Sequence, residues 1–96
     1  MMLIVTYDVD YSEESGAKRL RKVAKICEKY GVMVQNSVFE IMIDNVMLIE
    51  LKRKLDEVIN HEKDSIRIYN LGNKWSRKIY VMGKEINFKQ DETLLF

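Results

Sequence analysis

The chain opens on a short run of apolar, β-branched and aromatic residues, 2–7, closed by Asp8, and this length and composition predict a strand rather than a helix. Between residues 14 and 30 the period changes. Ala17, Leu20, Val23, Ala24, Cys27 and Tyr30 recur at helical spacing, so a first helix is expected there, ended at Gly31. Residues 32–43 are β-rich but about twice the usual length of a strand, and the polar pair Asn36-Ser37 divides them into two hairpin strands across a tight turn. Asp44 or Asn45 can cap a second helix whose buried stripe is Leu48, Leu51, Leu55, Val58 and Ile59. Asp64 then begins an alternating run, Ser65-Ile66-Arg67-Ile68-Tyr69-Asn70-Leu71, which reads as a fourth strand. Beyond Gly72, residues 77–82 read as one more short strand, and the sequence closes on an apolar Leu94-Leu95-Phe96.

The order βαββαβ plus an extra strand predicts an α+β fold, a ferredoxin-like sandwich with both helices on one face of an antiparallel sheet. One domain spans residues 1–96. The second sheet face should be polar if it meets water, yet strand one offers Leu3, Val5 and Tyr7 to one side and Met2 and Ile4 to the other. Residues 38–43 likewise set Val38 and Met42 against Phe39, Ile41 and Ile43. A second copy of the chain is the economical cover, so a homodimer is expected, with residues 72–96 as the extra strand and a tail packed on the partner subunit.

Composition adds limits. Ninety-six residues, 47% hydrophobic and 32% charged, suit a single globular domain. Cys27 is the one cysteine, so no internal disulfide forms, and the first residues lack a basic leader, which sets a cytoplasmic expectation. No apolar run approaches the roughly 20 residues of a membrane span, so no membrane partner is expected. The net charge of +1 conceals a polarity: residues 1–17 hold four acids and no lysine or arginine, whereas residues 18–29 hold six basic residues against one acid.

On a helical wheel Lys18, Lys22, Lys25 and Lys29 share the face opposite Leu20, and Arg19 and Arg21 flank the buried stripe. A basic ridge of this kind can follow phosphates, and a guanidinium fork held by packing suits a bidentate phosphate contact; a solvated face is the plainer reading. Asp8 ends strand one beside Tyr7, with Asp10, Glu13 and Glu14 just beyond. Turn initiation and helix-start acids explain such a cluster, and so does a hard cation, which takes oxygen ligands and one or two protein carboxylates. At a two-fold axis one Asp8 becomes two. His61 reads as a surface residue and Cys27 as a small apolar filler. Ser37 and Phe39 follow the turn and have structural readings, while Trp75, in a loop with Lys74, Arg77 and Lys78, suits base stacking and partner packing equally.

Taken together, Val5-Thr6-Tyr7-Asp8-Val9, Lys18-Arg19-Leu20-Arg21-Lys22-Val23-Ala24-Lys25, Val34-Gln35-Asn36-Ser37-Val38-Phe39-Glu40 and Asp64-Ser65-Ile66-Arg67-Ile68-Tyr69 resemble, in this order, the CRISPR-associated protein 2 family. The resemblance runs over almost the whole chain. It implies a homodimer whose last strand adds to the partner's sheet, and a metal-dependent endonuclease acting on RNA or on double-stranded DNA. It also implies a scaffold in spacer acquisition that bridges the CRISPR integrase subunits and supports captured duplex. By position, Asp8 matches the family's metal-site aspartate, which makes it the catalytic and Mg2+-binding candidate near the dimer axis. Arg19 and Arg21 match its helix arginines, with Lys18, Lys22 and Lys25 beside them as nucleic-acid contacts, and Phe39 matches the phenylalanine after the turn, in a supporting set with Tyr7 and Ser37. Met33 stands where many relatives have arginine, which removes one phosphate or transition-state contact. A toxin ribonuclease of the virulence-associated D type, built on the same fold, is the alternative.

Overall fold

The structure, a computed structural model, describes residues 1–10 and 12–84. Its elements are β1 (Met2–Asp8), α1 (Glu14–Glu28), β2 (Gly31–Gln35), β3 (Val38–Met42), α2 (Asn45–Val58), β4 (Ser65–Gly72) and a 3₁₀ turn, Trp75–Arg77. The four strands form one antiparallel sheet in the order β2-β3-β1-β4, the ferredoxin-like arrangement expected from the pattern. β1 is central because it is apolar along nearly its whole length: Met2, Leu3, Val5 and Tyr7 are buried. On the helix side Leu3, Val5 and Tyr7 meet Phe39, Ile41, Val23, Cys27, Leu51 and Leu55 in one core.

Local chemistry explains the boundaries. Asp44 caps α2, its carboxylate accepting from the Met47 amide at 2.8 Å, which satisfies one of the helix's unpaired N-terminal donors. The Asn36-Ser37 turn forms as expected, with Ser37 at φ 65°, the left-handed region that an L-residue enters at some cost. Gly31 differs from its expected part. α1 ends at Glu28 with Lys29 as its cap in right-handed geometry, so no glycine is needed to stop the helix. Gly31 begins β2 instead, where a Cβ would overlap the Glu40 carbonyl oxygen and stand 2.8 Å from the Ile41 Cα. It is glycine because two strand backbones meet there.

The strand register places Met2, Ile4 and Thr6 with Met42, Glu40 and Val38 on one side and with Gly72, Tyr69 and Arg67 on the other, all on the face away from the helices. Ile4, Val38 and Met42 are half-buried there and Tyr69 is 47% exposed. This second face is therefore less apolar than the sequence suggests, because Thr6, Glu40 and Arg67 also rise from it.

The short strand expected over residues 77–82 does not form in the single chain. Arg77 closes the 3₁₀ turn, the Lys78 amide donates to the Trp75 carbonyl at 2.8 Å, and residues 79–82 pair with no strand among the described residues. A strand requires ladder partners beside it, and among the described residues this segment pairs with neither outer edge of the sheet, β2 nor β4. The apolar end Leu94-Leu95-Phe96 lies outside the described residues.

Candidate functional site at the end of the first strand

β1 ends at the rim of an open cleft of about 560 Å³ lined by Tyr7, Asp8, Val9, Asp10, Ser12, Asn36 and Ser37. One backbone bond and one strand pairing fix its position. The Tyr7 amide donates to the Ser37 carbonyl at 3.0 Å, which ties the β2–β3 turn to β1, and Asp8 stands opposite Ser65 in the β1–β4 ladder. The alternation of the strand then turns Tyr7 inward, where it is 4% exposed, and leaves Asp8 exposed to the cleft. Asp8 and Ser37, far apart in sequence, both line this cleft.

Asp10 is committed locally: its Oδ1 accepts from the Ser12 amide at 3.0 Å and the Ser12 hydroxyl at 2.7 Å, and these bonds hold its carboxyl below the usual range. Glu13, beside α1, pairs with Lys63 at 3.5 Å. The acidic cluster read from the sequence thus separates: Asp10 holds a turn, Glu13 an ion pair, Glu14 sits exposed in the first turn of α1, and Asp8 is exposed on the cleft. Among the described residues no group of three or more histidine, cysteine or acidic side chains is placed to hold a metal ion. Asp8 fits a hard cation by donor type, since Mg2+ takes one or two carboxylates and fills its remaining positions with water or phosphate oxygen. A single chain contributes one such carboxylate.

Arg19, read from the sequence as a fork held by packing and suited to phosphate, has a carboxylate as its bidentate partner. Its guanidinium reaches under the end of β1 to Asp64, Nε to Oδ2 at 2.7 Å and a terminal nitrogen to Oδ1 at 3.1 Å. The Arg19 side chain is 15% exposed and that of Asp64 fully buried. The Tyr7 hydroxyl donates to the same Oδ2 at 2.7 Å, and the Asn60 amide donates to it at 2.9 Å. Burial alone would raise the Asp64 pKa, but the bonds from Arg19, Asn60 and Tyr7 outweigh it and hold the carboxyl below its ordinary value. Burial and the same carboxylate push the Tyr7 phenol upward, so it stays a neutral donor. Asp64 was read from sequence only as the start of a strand. The available signal was its place in the Asp-Ser-Ile-Arg-Ile-Tyr run, one residue ahead of the ladder.

Arg21, Lys18, Lys22 and Lys25 are exposed on α1 and form the basic surface, outside the cleft lining. Phe39 is fully buried opposite Val5 and supports the site only through the core. Met33 pairs with Phe39 in register and packs at the edge of the core, not in the cleft. His61 is a surface residue, 3.1 Å from Asp56. Cys27 is buried, and burial together with Glu28 pushes its thiol up to about 12. Trp75 is half-buried in the 3₁₀ turn.

The fold and cleft define a ferredoxin-like domain with an exposed carboxylate at the end of its first strand and a basic helix beside it. Residues 1–79 match the model of the family described as CRISPR associated protein Cas2, and the chain belongs to that family. It is 47% identical to the CRISPR-associated endonuclease Cas2 of Halalkalibacterium halodurans over the full length of both chains. With the CRISPR-associated endoribonuclease Cas2 3 of Rhodospirillum rubrum it shares 46% identity, covering 85% of this chain and 86% of that one. The crystal structure of Streptococcus pyogenes Cas2 at pH 6.5 superposes with a TM-score of 0.79 at 46% identity, over 86% of this chain and 100% of the other. Among the described residues no helix is long and apolar enough to cross a membrane.

Proposed function

We propose that two copies of this chain work together in CRISPR adaptation in the cytoplasm, as a homodimer that binds duplex DNA, bridges the integrase subunits and cleaves phosphodiester bonds with a divalent cation. The observation that carries the nuclease reading is Asp8, exposed on the cleft at the end of β1 as the carboxylate that its neighbours leave free. Relatives named endonuclease and endoribonuclease support the reaction class. Paired across a two-fold axis, two Asp8 carboxylates supply the ligands that one chain lacks. When bound, the ion provides positive charge that polarises a phosphate oxygen and lowers the pKa of a water. Around it the chain's own residues shape the site: Asn36 and Ser37 line the cleft with Asp8, and Arg21, Lys18, Lys22 and Lys25 attract the backbone. Tyr80 and Met82, 88% and 94% exposed beyond the 3₁₀ turn, lie in a segment suited to pairing with the partner's sheet edge.

The test is Asp8→Ala assayed against wild type for Mg2+-dependent cleavage and for duplex affinity. Cleavage is expected to vanish while affinity stays equal or rises slightly, because a bare carboxylate repels phosphate. Cleavage at the wild-type rate by Asp8→Ala would refute the assignment. The same preparations, measured by light scattering at micromolar concentration, should give the mass of two chains.

A further inference from the structure

The Asp64 cluster lies one residue behind the site, and the reading above gives it no part. Three elements meet on one buried carboxylate: Tyr7 from β1, Arg19 from α1 and the Asn60 amide from the turn after α2. The Asp64 amide returns a bond to the Asn60 carbonyl at 2.8 Å, so this turn is closed from both ends. Both Tyr7 and Asp64 adjoin one pair of facing residues in the ladder. Tyr7 precedes Asp8, Asp64 precedes Ser65, and Asp8 and Ser65 face each other in the ladder. On its other side Tyr7 is fixed through its amide to Ser37. One residue of the cleft lining is thus held at two points, its amide by the β2–β3 turn and its hydroxyl by the buried carboxylate.

We infer that Asp64 and Arg19 are positioning residues that set the pose of Asp8 through Tyr7, and that Arg19 is not a phosphate contact. This rests on the reading of Asp8 given above. Arg19 directs two nitrogens at Asp64 at 2.7 and 3.1 Å and is 15% exposed, so reaching a phosphate would require breaking a bidentate pair and leaving a fully buried carboxylate without its cation. Stranding a buried charge is far more costly than losing a surface contact. A misplacement of about 1 Å at a reacting group can cost about a hundredfold in rate, so a tether one residue away has leverage on Asp8.

The experiment compares wild type, Tyr7→Phe and Arg19→Ala, with Arg21→Ala as the exposed control and Tyr7→Phe as the variant that keeps its ring and its fold. The first readout, taken without metal or nucleic acid, is the backbone amide order parameter by NMR. In both positioning variants Asp8 and Val9 should fall from about 0.85 towards about 0.6, with Leu51 and Leu55 unchanged. The second is the split between cleavage and binding. Both variants should lose about tenfold or more in kcat, with duplex affinity and its salt dependence as in wild type. Arg21→Ala should instead lower the log-log salt slope by about 0.9. Unchanged order parameters at Asp8 and Val9 in both variants would overturn the inference, as would a reduced salt slope for Arg19→Ala. Asp8→Ala decides the cation reading separately. If it cleaves normally that reading fails, and the order parameters still decide whether Tyr7 and Asp64 hold the strand end.

Discussion

Replacing Tyr7 by phenylalanine removes one atom from the centre of the buried cluster, and the structure allows its consequence to be worked out. The ring is 4% exposed and phenylalanine fills the same space, so no cavity opens. What is lost is a 2.7 Å bond to Asp64 Oδ2, which keeps Arg19 Nε at 2.7 Å and the Asn60 amide at 2.9 Å. A hydrogen bond to a charged group contributes about 1.5–3 kcal/mol, and the donors that remain place this one near the lower end, at about 2 kcal/mol. For a domain of this size that corresponds to a fall in Tm of about 8–16 °C. The pH dependence supplies a signature. The Asp64 carboxyl is held below its ordinary value, so its stabilisation is fully present above the unfolded pKa of about 3.9 and is lost as pH falls through the lower folded value. The Tyr7 phenol is raised, so its stabilisation holds below the unfolded value of about 10 and is lost as pH rises beyond it. The difference between wild type and Tyr7→Phe should form a plateau between about pH 5 and pH 9 and narrow on both sides. Urea unfolding followed by circular dichroism, at fixed protein concentration from pH 3 to pH 10.5, measures it. A difference below about 0.5 kcal/mol at pH 7, or one that stays constant across the range, would refute the cluster's role.

Gly31→Ala should destabilise the fold by about 2 kcal/mol or more, because the added Cβ meets the Glu40 carbonyl and the Ile41 Cα, both main-chain atoms that cannot turn aside; a denaturant midpoint within error of wild type would contradict this. Asp44→Ala should cost about 1 kcal/mol through the lost bond to the Met47 amide, with Asp44→Asn or Asp44→Ser recovering most of it in the same measurement. Cys27 should resist a thiol reagent in the native protein and react only at the rate of unfolding, since it is fully buried and its thiol is pushed up to about 12; labelling as fast as that of a free thiol at pH 8 would show the helix–sheet core to be open.

The elements of this protein were legible along the chain because each is written in neighbouring residues. The alternation in Ser65-Ile66-Arg67-Ile68, the stripe from Ala17 to Tyr30 and the capping aspartate at 44 act over a turn or a pleat, and the structure places β4, α1 and α2 on them. The exposed end of β1 was equally readable, since an acid that closes an apolar strand has to leave the core. Pairings between distant segments were not. Tyr7 and Asp64 lie 57 residues apart and Arg19 and Asp64 lie 45 apart, and an arginine at the margin of a helix stripe has the same local pattern whether it meets a phosphate or a carboxylate. Gly31 looked like a helix stop because the sequence carries no record of the β3 backbone that passes against it. Residues 77–82 have strand composition but form no strand in this chain, because composition supplies the side chains and only a neighbouring edge supplies hydrogen-bond partners. Sequence alone determined β1 to β4, the two helices and the residues of the helix–sheet core, but not whether residues 77–82 become a strand. The tertiary structure decided which charges meet, because that depends on where the fold returns segments far apart along the chain.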